Sequence, residues 1–202
     1  MLIQGTEDLR VQKTIGNINR TFCELLLERD YDQISVTDIC ARAKIQRKTF
    51  YTYYSSVDAL LREKLDVMSR GYIQRIKKYS VPEQIAEINR EFYIYSAEQG
   101  ELYEKIICSA AYRSIGNDLL NDLVRKTWQD SPWFKRLSLY EQNILLTFVY
   151  STGAGLYRQW VNDGKNIPLE NMILLAEQLL EQGIHGFSKT LRKEYASSQR
   201  PQ

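Results

Sequence analysis

A chain of 202 residues with 44% hydrophobic and 26% charged side chains can both fill a core and solvate a surface, which excludes wholesale disorder. One histidine, His185, and three scattered cysteines, Cys23, Cys40 and Cys108, exclude the clustered ligands that a structural zinc or a redox centre needs, so no metal or cofactor is expected. A net charge of +2 does not by itself announce a polyanionic partner, so the placement of the basic residues must decide that question. The odd cysteine count fits a reducing compartment, each thiol reading as a small buried apolar group. No targeting segment is visible, and the stretch from Ile144 to Tyr150 is too short to span a bilayer. A soluble, cytoplasmic protein without a membrane partner is expected.

In chain order, Ile15, Ile18, Phe22, Leu25 and Leu26 recur at the three- and four-residue spacing of one helix face, predicting a first helix over about 9–29. Ser35 is placed to cap a short second helix over 36–43, with Asp38 in its first turn. Only Lys44, Ile45 and Gln46 separate it from a third helix over about 47–54. A fourth, long helix begins at Ser55-Ser56 and carries Val57, Leu61, Leu65, Met68, Tyr72 and Ile76 on one face.

Ser80-Val-Pro-Glu83 has capping-box spacing and predicts a helix start, with Ile85, Ile88, Phe92 and Tyr95 as its apolar face. Two shorter helices, about 101–112 and 117–129, follow Gly100 and Gly116. Pro132 breaks the chain, and Ser138-Leu-Tyr-Glu141 repeats the capping-box pattern before a helix to about Asn162. Pro168 opens a last helix reaching about Leu191, and 196–202 reads as a polar tail. About nine helices result, without strand-like alternation, so the fold class is all-α.

Two short helices joined by three residues behind a longer one fit a helix-turn-helix over about 35–54, whose second helix enters the major groove of DNA. Ile39, Ala43, Ile45 and Phe50 are spaced to form its small core. Between Val36 and Tyr54 the basic residues Arg42, Lys44, Arg47 and Lys48 face a single acid, Asp38. Arg42 reads as a solvated side chain on the outer face of its helix. Arg47, Lys48 and Tyr51, with Gln46 at their edge, can hydrogen-bond base edges and phosphates.

The runs Ile34-Ser-Val-Thr-Asp-Ile-Cys-Ala-Arg-Ala43 and Ile45-Gln-Arg-Lys-Thr-Phe-Tyr-Thr-Tyr-Tyr54, with Phe22–Tyr31 and Ser56–Leu61 around them, resemble the N-terminal domain of TetR-family transcriptional regulators. The resemblance implies a DNA-binding domain over 11–71, a regulatory and dimerisation domain over 72–195, and DNA contacts from Thr37, Gln46, Arg47, Lys48, Thr49, Tyr51 and Tyr53. Tyr53 can alternatively close the small core. Lys44 stands where the family often has glycine, and a left-handed backbone there would be strained. Tyr150–Gly164 resembles the C-terminal domain of a subgroup common in Firmicutes that includes regulators of dihydroxyacetone metabolism.

The last two helices carry more apolar residues than one face needs, among them Leu156, Leu169, Leu179, Leu180 and Phe187. The resemblance implies that they pair with those of a second copy, giving a homodimer on near-palindromic double-stranded DNA. Repression relieved by a small-molecule effector is the family expectation, with control by a protein partner as the alternative. The long fourth helix is expected to couple the two domains. Tyr93, Tyr95, Tyr103, Tyr112, Trp128, Tyr150 and Tyr157 are the effector-binding candidates, and the same aromatics read equally as core. His185 reads as structural or as a ligand contact. No catalytic constellation can be assembled, so an enzyme is not expected.

Overall fold

The computed structural model describes residues 9–109, 115, 122 and 124–198, with side chains to residue 186. Every element with defined bounds among them is helical, so the protein is all-α. The chain divides into two compact units, Met1–Gly71 with Gln99–Leu119, and Tyr72–Glu98 with Leu120–Gln202.

In the first unit α1 (Leu9–Glu28) buries Ile15, Ile18, Thr21, Phe22, Leu25 and Leu26, the predicted stripe with Thr21 added. After a 3-10 turn at Tyr31–Gln33 comes α2 (Val36–Ala43). Its N-terminus is closed reciprocally: the Asp38 amide donates to Ser35 Oγ at 3.2 Å, and the Ser35 amide donates to the Asp38 carboxylate at 2.9 Å. The Ser35 hydroxyl also donates to the Asp38 carboxylate, and this bond, followed by that from the Ser35 amide, holds the Asp38 carboxyl below its usual pKa. Next, α3 (Arg47–Tyr53) is followed by α4 (Val57–Ile76), where Ser56 Oγ accepts from the Ala59 amide at 3.1 Å. Leu60, Leu61 and Leu65 of α4 are buried. The helix α6 (Glu101–Cys108) packs on α1, and Lys105 Nζ donates to the Leu27 carbonyl at 2.8 Å. It stops four residues before the predicted end because Ser109 is extended.

In the second unit α5 (Ile85–Glu98) packs against α8 (Leu139–Asn162) and α9 (Leu169–Ser198). Arg90 of α5 reaches Glu177 of α9 at 3.3 Å and also pairs with Glu170. Tyr93 stacks on Tyr157 with ring centroids 6.5 Å apart, and Trp128 meets Phe134 edge to face at 5.9 Å. Gly153 lets α5 come close to α8: a Cβ there would stand 3.1 Å from Asn89 Oδ1.

Three further boundaries differ from the sequence reading. The predicted start at Ser80 is displaced to Ile85, because the Ser80 amide donates to the Gln84 side chain at 3.0 Å and residues 81–84 form turns. Pro132, read only as a breaker, is the first residue of a short helix α7 (Pro132–Lys135) capped by Ser131. The last helix runs to Ser198, past the predicted end at Leu191 and into the expected tail, of which 199–202 lie outside the described residues. Of the helix expected over 117–129, residues 122 and 124–129 are described: 122 and 124–128 are helical and 129 is already a turn.

Candidate nucleic-acid interface

The geometry of α2 and α3 follows from where their apolar side chains go. Ile39 and Phe50 are fully buried and Ala43 nearly so, while Ile45, expected in the same core, is only half-buried. Ile45 sits in the turn rather than on a helix, so its side chain only edges the core. Phe50→Ala would cost about 3–5 kcal/mol by leaving a cavity. Lys44, the C-cap of α2, adopts φ 53° and ψ 46°, the left-handed conformation considered for it. That single residue turns the chain tightly enough for α3 to start at Arg47.

With Phe50 anchored inward, the opposite face of α3 points to solvent. Arg47 and Lys48 are exposed, and Tyr51 is 52% exposed, its ring propped edge to face on Phe50 at 5.7 Å. Gln46 and Thr37 are exposed, whereas Thr49 and Tyr53 are half-buried. The geometry therefore brings Gln46, Arg47, Lys48 and Tyr51 together on one outward surface, with Thr37 on α2 and with Thr49 and Tyr53 recessed. Tyr54 is buried, its hydroxyl accepting from Asn19 Nδ2 at 2.9 Å, and burial raises its pKa to about 12.

Arg29, Arg42, Arg70, Arg75, Lys78 and Arg90 each lie within ion-pair distance of a carboxylate. None of the ion pairs among the described residues involves Lys44, Arg47 or Lys48. Arg42, expected to be merely solvated, instead pairs with Glu28 of α1 at 2.6 Å. The partner comes from an element fourteen residues back, which helix periodicity within α2 cannot reveal. Sequence reasoning also missed Asn17, whose Nδ2 donates to the Ala43 carbonyl at 2.7 Å and ties α1 to the turn.

The described aromatic candidates are all buried. Tyr93, Tyr95, Trp128, Tyr150 and Tyr157 are buried in the second unit, Tyr103 is buried in the first, and Tyr112 lies outside the described residues. A cavity of about 40 Å³ in the second unit is lined by residues including Ile88, Asn89, Phe92, Val149 and Tyr150. That is room for about three waters. Tyr150 is the one effector candidate on its wall, and Asn89 Nδ2 is buried there without a hydrogen-bond partner. His185 is exposed on α9, with Nδ1 2.9 Å from the Glu181 carbonyl.

On the outer side of α8 and α9, Ile144, Phe148, Leu175 and Leu179 are 62%, 38%, 58% and 59% exposed. Phe148 lies over Gly183, where a Cβ would come within 2.6 Å of its ring. Leu156, Trp160, Ile167, Leu175 and Leu179 also line an open groove of about 230 Å³.

Residues 22–63 match the family described as bacterial regulatory proteins, tetR family. The chain is 46% identical over 44 residues to the HTH-type dhaKLM operon transcriptional activator DhaS of Lactococcus lactis; that stretch is 22% of this chain and 24% of that relative. Its fold is similar to a TetR transcriptional regulator from Streptococcus agalactiae, at TM-score 0.56 and 22% identity, covering 85% of this chain and 95% of the other. It is also similar to NalD of Pseudomonas aeruginosa, the secondary repressor of a multidrug efflux pump, at TM-score 0.61 and 16% identity, covering 86% and 96%. Residues 22–63, reaching from the end of α1 through α2 and α3 to the start of α4, thus match the tetR family of bacterial regulatory proteins, and the all-α fold is similar to that of solved regulators.

Proposed function

We propose that the protein is a sequence-specific transcription factor in which α3 reads operator DNA and a ligand-responsive second unit controls its release. The observation that carries the DNA reading is the surface of Lys44, Arg47, Lys48 and Tyr51: three cations that take part in none of the ion pairs among the described residues, beside an outward tyrosine, inside the matched family segment. Side chains on the exposed arc of a short helix are what a major groove admits. Arg47, Lys48 and Tyr51 take base edges; Thr37, Thr49 and Tyr53 position phosphates, and Gln46 stands at the edge of the reading surface. Recovery of bound genomic fragments, followed by affinity measurement with Arg47→Ala, tests this assignment.

The protein acts as a cytoplasmic homodimer. The exposed Ile144, Phe148, Leu175 and Leu179 form an apolar face at odds with a solvated surface, and a second copy of the same face is the occupant that two-fold symmetry supplies. No helix of the described residues is long and apolar enough to cross a membrane.

Regulation is repression relieved by a small molecule that binds the second unit and favours one of two dimer arrangements. The cavity beside Asn89 and Tyr150, with a buried amide nitrogen lacking a partner, supports a ligand in this unit. A second reading is control by a protein partner bound by the second unit; the name of the Lactococcus lactis relative, an operon activator, favours activation over repression and names no partner. Effector screening by thermal shift and co-purification with mass measurement separate the two.

A further inference from the structure

We infer that the DNA-binding surface extends onto α1, where Lys13, Thr14, Gly16, Asn17 and Arg20, together with Ile45 of the turn, form a groove that takes the sugar-phosphate backbone of DNA. The inference rests on the DNA-binding reading above and adds a contact strip outside α2 and α3.

Lys13, Asn17 and Arg20 are spaced four and three apart and so share one face of α1. Asn17 spans the groove's two sides. Its Nδ2 donates to the carbonyl of Ala43, the last residue of α2, and its Oδ1 accepts from Arg20 Nη2 at 2.8 Å. The guanidinium is thereby oriented at the turn that leads into α3, with its further N–H groups available; its Nε stands 3.9 Å from Glu24, and its side chain remains 72% exposed. Lys13 is exposed and takes part in none of the ion pairs among the described residues. Among the described residues no carboxylate lines the groove, whose volume is about 550 Å³.

Gly16 is an independent pointer. Glycine weakens a helix interior, and it is retained where something must approach the backbone closely. Nothing among the described residues needs it: a Cβ at Gly16 would meet none of their atoms within 4 Å. The residue therefore leaves the groove floor open toward the outside, between two cations. A DNA strand following the groove rim past the start of α3 supplies phosphates at the right place, and those contacts are indifferent to base sequence.

The test uses the full-length protein and a fluorescent duplex of mixed sequence, about 40 base pairs long, titrated between 50 mM and 200 mM salt. Each lost phosphate contact lowers the slope of log affinity against log salt by about 0.9, so the affinity ratio across that range shrinks by roughly 3.5-fold for each contact. Lys13→Ala and Arg20→Ala show that reduction, Lys13→Arg restores it, and Lys135→Ala, an equal charge loss in the second unit, leaves the slope unchanged. Gly16→Ala raises Tm while weakening duplex binding several-fold. Wild-type slopes in both alanine variants, an equal loss with Lys135→Ala, or competition by inorganic phosphate beyond its ionic strength overturns the inference. Absence of duplex binding by the wild-type protein at 50 mM salt would remove the DNA-binding reading itself, which keeps the two failures distinct.

Discussion

Replacing Leu175 and Leu179 together by alanine should separate the subunits while leaving each one folded. A fully buried leucine side chain contributes about 1.5–3 kcal/mol relative to exposure. With 58% and 59% of these two residues still exposed in the single chain, burying the remainder contributes about 0.9–1.8 kcal/mol each. A two-fold axis doubles the pair to four side chains, about 4–7 kcal/mol per dimer, or some three to five powers of ten in the dimer Kd. Alanine retains part of that area, so the double variant should lose at least two of those powers, and Leu175→Asp with Leu179→Asp should lose all of them. Sedimentation equilibrium over a concentration series reads the Kd, and circular dichroism verifies that helix content is retained. A double aspartate variant with the wild-type dimer Kd would refute the assignment of this face to a second copy.

Further outcomes follow from individual residues. Lys44→Gly relieves a left-handed lysine at about 1–2 kcal/mol and returns about 0.4–1 kcal/mol through unfolded-state entropy, a net gain of up to about 1.5 kcal/mol. It also removes one unpaired cation, so denaturant titration should show equal or higher stability while duplex binding weakens; a loss of stability would contradict the backbone argument. The raised pKa values of Tyr54 and Tyr93, each about 12, contribute stability that is complete below the ordinary tyrosine pKa near 10 and lost as pH rises toward 12. Tyr54→Phe should therefore cost about 1 kcal/mol at neutral pH through the lost Asn19 hydrogen bond, yet narrow its deficit against wild type as pH climbs above 10. Thermal melts at pH 8 and pH 11 check it, and a deficit that widens with pH would reverse the sign of the linkage.

The helix-turn-helix was legible because each of its determinants is local. Ser35 and Asp38 close α2 within three residues, Phe50 and Tyr51 divide α3 into inner and outer faces, and the Lys44 turn needs only its own dihedrals. What stayed hidden depends on partners distant in sequence. The Arg42 ion pair uses α1, and the Asn17 tie joins residues 26 apart. At Ser80 a local pattern misled, because the amide it should have capped from Glu83 is met by Gln84 instead. For the aromatics, residue type alone made Tyr93 and Tyr157 candidates and could not tell core from ligand wall, since both bury the same apolar area. They prove to stack on each other. Among the described residues of the cavity wall, Gly153 and Asn89 mark where the packing is interrupted, and the sequence could show Gly153 as a site of close helix approach but not that Asn89 faces it.

The claim that α3 reads DNA is tested most directly by salt-controlled fluorescence anisotropy on genomic fragments that the wild-type protein retains, with Arg47→Ala and Tyr51→Ala beside it. Each lost base contact costs about 1–3 kcal/mol, so either variant should bind those fragments roughly 5- to 150-fold more weakly, with unchanged helix content and dimer Kd. Wild-type affinity in both variants at matched salt would contradict the account.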